Sequence, residues 1–287
     1  MKPTRLFSSL FALTLCLAVL TSASFAKAKP LAGPIGLAVD AAGNLYVANN
    51  GANQILIYSP SYGQQTSKTI TSGVNRPTGL AFDPYGNLWA ANDVGGSSSV
   101  TEYTNGVQDT GNTITQDIVA PQTIAIDGLD NLWVLDSEGP LLIFSPTAVY
   151  APPSHLVQTI NPGNLGFAFT VGAGALVYGA FPGSQVFLES ASATLLGNPL
   201  NGGAFGFGAD ALAADNQGNI YGANGSTAFI LHPNATATTF VTLPFSPVFG
   251  IAVDNARKRV YFSDGGLAGN QIVVYSTAGV LLKTIHN

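Results

Sequence analysis

The stretch PTGLAFDPYGNLWAAN, residues 77–92, decides the fold because close copies of it recur along the chain. PIGLAVDAAGNLYVAN at residues 34–49 and PQTIAIDGLDNLWVLD at residues 121–136 repeat its order of an apolar run, an Asp-led turn and a second apolar run. Short apolar runs separated by Gly and Asn predict two strands joined by a tight turn. Each copy therefore predicts a β-hairpin.

The Asp of each turn measures the spacing of the repeat. The intervals are 43, 44, 88 and 39 residues between Asp40, Asp83, Asp127, Asp215 and Asp254. The interval of 88 residues is twice 44, so it predicts a further copy without the Asp, centred near Val171 in LGFAFTVGAGALVYGAF (165–181). The sequence therefore predicts six units.

Each unit continues into further strands. QILIYSP (54–60) and QIVVYST (271–277) are predicted third strands, and SKTIT (67–71) and VLLKTI (280–285) are predicted fourth strands. Four short strands in a period of about 43 residues indicate a propeller blade. The predicted fold is all-β, a single six-bladed β-propeller of four-stranded antiparallel blades over residues 29–287. Because the last unit has its own outer strand, we expect the ring to close by packing of blade faces.

The first residues read as a secretory signal peptide. Two basic residues precede the apolar run LFALTLCLAVL (10–20), and small residues follow, so cleavage is expected after Ala26 or Ala28. The apolar run is shorter than the roughly 20 residues of a membrane-spanning helix. We expect residues 1–28 to be removed, the protein to be secreted or periplasmic, and no membrane insertion after cleavage.

Charge is sparse and uneven. Charged residues make up 9% of the chain, the formal net charge is -5, and no Lys or Arg lies between Arg76 and Arg257. Nucleic acids and anionic membranes are bound mainly through cationic side chains. The sequence therefore argues against a nucleic-acid partner, and we expect a monomer.

The repeated polar residues have a structural explanation. In DAAGN, DPYGN and DNQGN an Asp can bond its own backbone while Gly accepts a positive φ, so turn chemistry is favoured over a calcium loop, which needs more oxygens. A second polar set ends the second strand of each unit, and we expect its members to cap the following loop. These are Asn49, Asn92, Asp136, Asn224 and Asp264.

The consensus P-x-G-[IL]-A-[VF]-D-x-x-G-N-[LI]-[YW]-V-A-[ND], followed by Asn-Gln-Ile at residues 53–55 and 270–272, resembles the NHL repeat. The resemblance implies a six-bladed propeller, since that is the fold of the family. Gln54 and Gln271 stand where the family commonly has Arg. This departure weakens any transfer of family partners to this chain.

Propellers of the gluconolactonase and phosphotriesterase-like type are similar in architecture and carry Asn, Asp and Glu around a central calcium. Several of those residues lie five positions before the Asp of the turn. The matching positions here are Ile35, Thr78, Gln122, Gly166, Asp210 and Phe249. Asp210 is the one carboxylate among them, and a calcium ion wants six or more oxygens. We therefore expect no metal and no other cofactor.

Streptogramin-lyase and peptidyl-hydroxyglycine-lyase propellers also resemble this chain in their repeat, and both rely on histidines near the channel. His155 lies in a proline-rich connection, His232 ends a third strand on the far side from the channel mouth, and His286 is penultimate. No Gly-x-Ser-x-Gly elbow is present, and the single Cys lies in the leader. No catalytic set is predicted.

The predicted function is non-catalytic binding at the channel-mouth face, where the loops between second and third strands are expected to emerge. Gly-, Asn- and Ser-rich loops on a rigid scaffold suit a protein partner or a polar glycan or peptide ligand. Arg76 and Asp210, in opposite units, are the charged residues proposed for this face. The full candidate set is Arg76, Thr78, Asn92, Gln122, Asp136, Asp210 and Asp264.

Two alternatives remain open. One is a metal-assisted hydrolase or lyase centred on Asp210, with Thr78, Gln122 and either Asp136 or Asp264 as further ligands. The other is a structural module of the cell surface, which would share the same fold.

Overall fold

The computed structural model describes residues 27–136, 141–145, 156–160, 168–172, 175–179, 186–190, 209–233, 236–266 and 269–286. The predicted leader up to Ala26, His155 and Gly166 lie outside these residues. The two helices of the described ranges are single 3₁₀ turns, Asn50–Ala52 and Thr66–Lys68. Neither is long enough or apolar enough to span a membrane.

The described strands form six antiparallel sheets, each built from consecutive strands. The first contains β1 (Pro34–Val39), β2 (Leu45–Asn49) and β3 (Gln54–Tyr58). The second contains β4 (Pro77–Phe82), β5 (Leu88–Asn92), β6 (Ser99–Thr104) and β7 (Val107–Ile114). The third contains β8 (Pro121–Ile126), β9 (Leu132–Asp136), β10 (Leu141–Phe144) and β11 (Leu156–Ile160).

The fourth sheet contains β12 (Ala168–Gly172), β13 (Ala175–Gly179) and β14 (Val186–Ser190). The fifth contains β15 (Ala211–Ala214), β16 (Ile220–Asn224), β17 (Thr227–Leu231) and β18 (Ala237–Thr242). The sixth contains β19 (Gly250–Asp254), β20 (Arg259–Asp264), β21 (Gln271–Ser276) and β22 (Leu281–Ile285). β12 and β13 confirm the hairpin that the repeat spacing predicted near Val171.

The first strand of each sheet lies innermost and contacts the first strands of the sheets on either side. The predicted all-β propeller is therefore confirmed. Five of the sheets are described with side chains on most of their strands, whereas the fourth is described mainly by its backbone. The count of six blades stays a prediction at this point.

The core lies between the faces of adjacent sheets. Leu45, Val47 and Leu56 of the first sheet pack against Tyr261 and Ile272 of the last, and all five are at most 2% exposed. In strands such as β9 the side chains on both faces of the sheet are buried, because each sheet packs between two others. Each large apolar side chain buried in this way contributes about 1.5–3 kcal/mol to the free energy of unfolding. Burial between sheets thus stabilises the ring.

Glycines allow the innermost strands to approach closely. A Cβ atom on Gly36 would lie 2.3 Å from the carbonyl oxygen of Thr78, and one on Gly250 would lie 2.2 Å from the carbonyl oxygen of Ile35. Carbon and oxygen atoms cannot approach that closely, so only hydrogen fits at these two positions. The Gly four residues before the Asp of the turn is therefore a packing residue in these two sheets.

The ring closes by packing, as the sequence predicted. The last sheet consists of the consecutive strands β19–β22, so no strand of the first sheet joins it. The Ser263 hydroxyl donates to the Ile35 carbonyl oxygen at 2.6 Å, and Arg257 Nη2 donates to the Ala42 carbonyl oxygen, also at 2.6 Å. These bonds, together with the shared core, join the last sheet to the first.

The predicted fourth strand of the first sheet, SKTIT (67–71), is wrong. A 3₁₀ turn occupies Thr66–Lys68, and only Ile70 pairs with the sheet, through a bridge to Ile55. Gln65 donates its backbone N–H to Ile57 at 2.7 Å and its side-chain amide to Asn44 at 2.8 Å. Because Gln65 makes these bonds, a loop covers the edge of β3 where a fourth strand would lie.

The predicted turn chemistry is confirmed. Four of the five turn Asp residues accept the backbone N–H of the Asn four residues later at 2.8 Å, whereas Asp254 accepts that of Arg257 at 2.9 Å. In those four turns the second carboxylate oxygen of the Asp accepts the side-chain amide of the same Asn at 2.7–2.9 Å. The pairs are Asp40 with Asn44, Asp83 with Asn87, Asp127 with Asn131, and Asp215 with Asn219. We call the side of the ring that carries these turns the hairpin face.

Candidate functional site: the channel mouth

The first strands of all six sheets line a cavity of about 290 Å³ on the axis of the ring. Its lining is mainly Gly, Ala, Val, Leu, Ile and Phe, and the polar lining side chains are Thr78, Thr123, Thr170 and Asp210. Pro34 pairs with Asn49 and Pro77 with Asn92, so first strands begin where second strands end. The loops between second and third strands emerge on that side, which we call the channel-mouth face.

Asp210 is the carboxylate of the described cavity lining. Its Oδ2 accepts the backbone N–H of Gly225 at 2.7 Å, and the Val248 N–H also bonds the carboxylate. Burial raises the pKa of the Asp210 carboxyl, and the two hydrogen bonds lower it by less than burial raises it. The carboxylate is thus held in place by the fifth and sixth sheets, and its remaining acceptor positions face a partly desolvated site.

Phe249 is the aromatic residue of this mouth. It lines the same cavity, its side chain is 38% exposed, and its backbone N–H donates to Ser263 at 3.1 Å. A Cβ atom on Gly265 would lie 3.1 Å from the ring, so a glycine packs against one side of it. Sequence reasoning treated Phe249 only as a position that lacked a metal ligand. Phe249 directly follows Val248, whose N–H bonds the Asp210 carboxylate, and this link was not predicted.

The Thr78 hydroxyl is already used between blades. Thr78 is 5% exposed, and its Oγ1 donates to the Pro121 carbonyl oxygen of the next sheet at 2.7 Å. This bond resembles the one from Ser263 to Ile35 between the last and first sheets. Thr78 lines the channel as predicted, but its hydroxyl group already donates a hydrogen bond from the first strand of the second sheet to that of the third.

Gln122 has a carboxylate partner that the sequence did not indicate. Its Nε2 donates to Asp93 Oδ2 at 3.4 Å, and the Asp93 backbone N–H donates to the Arg76 carbonyl oxygen at 3.2 Å. Asp93 directly follows the polar residue that ends β5. It was missed because the search used a fixed offset from the Asp of the turn, and no other copy has a carboxylate at this place.

The prediction of a cap on the following loop is wrong for Asn49, and the loop after Asp136, residues 137–140, lies outside the described residues. Asn92 donates to Ser99 beyond its loop at 3.4 Å, and Asn49, Asn92 and Asp136 all bond an earlier segment of the chain. Their side chains accept backbone N–H groups of the segment that leads into the first strand, 16 or 17 residues earlier. The donors are Ala32 to Asn49 (2.6 Å), Asn75 to Asn92 (3.0 Å), and Val119 and Ala120 to Asp136 (2.7 and 3.0 Å). The incoming segment passes beside the end of the second strand, and buried N–H groups there need acceptors.

Asp264 does cap the following loop. Its carboxylate accepts the Gly266 N–H at 3.1 Å and the Gln271 side-chain amide at 3.2 Å, and the residue is 5% exposed. The predicted capping role is therefore confirmed in the last sheet. A carboxylate occupied in this way has little left to offer a metal ion.

Arg76 and Asp210 are not brought into contact. Arg76 is exposed, has a φ of 46°, and donates its backbone N–H to Asn53 Oδ1 at 2.8 Å. It does not line the described cavity, whereas Asp210 does. The ion pair of the described residues joins Arg257 to Asp254 at 3.4 Å. Arg76 thus lies outside the cavity lining, and Asp210 has no ion pair within the described residues.

Histidine and carboxylate groups do not converge in the part of the chain that the structure describes. No three His, Cys, Asp or Glu side chains there form a possible metal site. His232 lies on the hairpin face, as predicted, and its ring nitrogens share hydrogen bonds with Asn219 Oδ1 at 2.9 Å and Thr238 Oγ1 at 3.2 Å. His232 therefore holds a turn to an outer strand.

Comparison with known proteins agrees with this architecture. Residues 31–58, which span the first sheet, match the NHL repeat model. A search of curated protein sequences finds no match.

Solved structures match over most of the chain at low identity. A nidogen/laminin complex aligns with 14% identity and a TM-score of 0.63, over 82% of this chain and 90% of that one. A gluconolactonase from Xanthomonas campestris aligns with 13% identity and a TM-score of 0.60, over 81% and 84%. A virginiamycin B lyase from Staphylococcus aureus aligns with 14% identity and a TM-score of 0.59, over 89% and 84%. The chain is therefore a β-propeller whose first sheet matches the NHL repeat.

Proposed function

We propose that the protein is an exported six-bladed NHL-type propeller that binds a polar partner at its channel-mouth face without catalysing a reaction. The sixth blade in this proposal is the sheet of β12–β14, because β12 packs between β8 and β15 as the other first strands pack between their neighbours. The partner is a protein or a polar glycan or peptide segment. Export follows from the leader pattern of the first residues.

The observation that carries the proposal is that Asp210 and Phe249 both line the channel cavity. The polar side chains of Asn49, Asn92, Asp136 and Asp264, which end second strands, are bonded to groups of the protein itself. Asp210 lines the cavity with acceptor capacity left over, and the exposed Phe249 lines the same cavity. Polar groups with this freedom are where binding energy can be gained.

The chemistry of this pair favours a partner with hydrogen-bond donors and an apolar surface. A carboxylate accepts from hydroxyl, amide and ammonium groups, and an aromatic ring packs against the apolar side of a sugar or a side chain. An anionic partner is disfavoured here because Asp210 has no cationic neighbour in the described site.

A metal-assisted hydrolase or lyase centred on Asp210 is the second candidate. It is supported by the place of this carboxylate on the channel and by the likeness to a gluconolactonase and a lyase, which shows the fold. It needs further ligands, and the two carboxylates considered for that role, Asp136 and Asp264, already accept protein N–H groups. These side chains would have to break those hydrogen bonds to bind a metal ion, whereas binding without catalysis requires no rearrangement.

A capture experiment tests the proposal. The immobilised protein is exposed to the envelope fraction of its own source cells, and a double variant, Asp210→Asn with Phe249→Ser, is compared with it. We expect the double variant to lose the captured partner. Tyr85→Ser is the matched control, because Tyr85 is 80% exposed on the hairpin face and its loss should leave capture unchanged. Equal capture by all three proteins would contradict the proposal.

Calorimetric titration with Ca²⁺ separates the two candidates. We expect no binding in the micromolar range, since one carboxylate and neutral oxygens hold this ion weakly. Micromolar binding that Asp210→Asn abolishes would favour the hydrolase or lyase.

A further inference from the structure

A second cavity, of about 690 Å³, lies where the first and last sheets meet. One wall is the segment of residues 27–30 with Tyr58, Tyr62 and Gln64, and the other is residues 283–286 at the end of β22. We call this cavity the seam groove. It borders the loop that covers β3 in the sheet that lacks a fourth strand.

The seam groove is basic in an acidic protein. Lys27, Lys29 and Lys283 line it together with His286, and no carboxylate is among its lining residues. Cleavage of the leader after Ala28 would remove Lys27 and leave Lys29, Lys283 and His286. None of the three ammonium groups forms an ion pair within the described ranges. Because the chain has a formal net charge of -5 and no Lys or Arg between Arg76 and Arg257, this concentration of positive charge is local. It would attract an anionic partner to this side of the ring.

The first wall of the groove is held in place by hydrogen bonds. Gln64 Oε1 accepts the Lys29 backbone N–H at 2.6 Å, and Gln64 Nε2 donates to the Lys29 carbonyl oxygen at 2.8 Å and to the Tyr58 hydroxyl at 3.1 Å. The Arg259 guanidinium lies 5.0 Å from the centre of the Tyr62 ring. The two tyrosines and the lysine backbone are thus ordered before any partner binds.

β22 offers a strand edge beside the groove. Among the described strands it is the outermost of its sheet and pairs with β21 alone. Val280, Leu281 and Leu282, at its beginning, are 60%, 53% and 44% exposed. Exposed edges are usually protected by charge or by a covering segment, and three consecutive exposed apolar residues are unusual there. Such an edge can accept the backbone of another extended segment.

We propose that the edge of β22 and the seam groove together bind an extended acidic peptide of a partner protein. The peptide adds as a further strand beside β22, places its apolar side chains near Val280–Leu282, and directs its carboxylates to Lys29 and Lys283. This surface is separate from the channel mouth. It favours an anionic ligand, which the Asp210 carboxylate disfavours at the mouth.

A peptide fits these observations better than an acidic saccharide does. A saccharide could meet the lysines and the tyrosine rings, but it has no regular N–H and C=O groups for the edge of a strand. It would also leave the exposed apolar residues of β22 in water.

Fluorescence polarisation with a labelled peptide tests the proposal. The probe is a peptide of about ten alternating Val and Glu residues, long enough to span the strand. Replacing Lys29 and Lys283 together by Gln should weaken binding about tenfold, since each exposed charge pair is worth up to about 1 kcal/mol. The matched control replaces Lys68 and Lys258, which lie outside the groove lining, and should change affinity by less than about twofold.

Two further measurements address how the ligand binds. The same peptide with alternate backbone nitrogens methylated keeps its charges but cannot pair with a strand, so it should lose binding. Asp210→Asn with Phe249→Ser should bind the peptide like the unmodified protein, which separates this surface from the channel mouth.

Three outcomes would overturn the proposal. Unchanged affinity in the Lys29 and Lys283 variant would show that the groove is not the site. Equal binding of the methylated peptide would exclude strand addition. Displacement of the peptide by oligogalacturonate, together with tighter binding of that saccharide, would identify an acidic glycan as the ligand.

Discussion

The two ends of the inner hairpins differ in how regularly their hydrogen bonds repeat from sheet to sheet. On the hairpin face, four turns use the same Asp and Asn with nearly the same distances. At the channel mouth, equivalent positions serve different purposes. Asn49, Asn92 and Asp136 hold the incoming segment, whereas Asp264 caps the following loop. Repetition of sequence therefore predicts repetition of structure at only one end.

The difference follows from where the partner atoms lie in the chain. In the turns, the donor is four residues from the Asp and belongs to the same repeated motif. At the mouth, the donors of Asn49, Asn92 and Asp136 come from the connections between blades, 16 or 17 residues away. These connections vary in sequence and length, so each copy satisfies its buried N–H groups differently.

The largest expected effect of a single change is at the mouth. Asp136→Ala should lower the free energy of unfolding by about 3 kcal/mol, because a 1% exposed carboxylate that accepts the N–H groups of Val119 and Ala120 is removed and a buried donor is left unpaired. Urea denaturation followed by tryptophan fluorescence measures the loss. Asp136→Asn keeps one acceptor oxygen and should lose less than half as much. Similar losses for both variants would show that charge, and not hydrogen bonding, matters here.

A smaller effect is expected on the hairpin face. Asp83→Ala removes the acceptor for the backbone N–H groups of Tyr85 and Asn87, and it should cost about 1 kcal/mol because this turn is partly solvated and water replaces some of the bonds. The same denaturation experiment applies. Tyr85→Ala, in the same turn, is the control and should stay within about 0.5 kcal/mol, since its side chain is exposed. A cost equal to that of Asp136→Ala would remove the contrast between the two ends.

The smallest effect has the opposite sign. Asp130 has a φ of 66° at the place where other turns carry Gly43, Gly86 and Gly218. Asp130→Gly should stabilise the protein by about 0.5 kcal/mol at neutral pH. Glycine adopts the left-handed backbone without strain, and this gain outweighs the conformational freedom that glycine adds to the unfolded chain. The reverse exchange, Gly86→Asp, should destabilise the protein by a similar amount.

The stabilisation expected from Asp130→Gly should depend on pH. Burial, followed by the charges of Asp83 and Asp127, raises the pKa of the Asp130 carboxyl above its usual range. The folded state therefore binds this proton more tightly, and stability from protonated Asp130 is lost as pH rises through the folded pKa. Asp130→Gly should help more at pH 7 than at pH 3.5. A gain that does not change with pH would assign the whole effect to the backbone.

The candidate site was only partly accessible to sequence reasoning. The position of Asp210 on the channel follows from its offset within the repeat, and so does that of Thr78. Neither the engagement of Thr78 with Pro121 nor the contact between Asp93 and Gln122 has a sequence signal, because each joins neighbouring sheets. Phe249 was regarded only as a position without a metal ligand, because the place of a residue in the repeat does not predict how exposed its side chain is.

The sequence by itself determined what depends on neighbouring residues: the hairpins, the Asp-Asn turns, the spacing of the units and the apolar faces that make a propeller. Only the tertiary structure decided the loop that replaces the fourth strand of the first sheet, the partners of Asn49, Asn92 and Asp136, and the basic groove between the first and last sheets. The reason is that closing the ring brings together residues more than 200 positions apart, such as Ser263 and Ile35. No local pattern in the sequence encodes which side chains meet there.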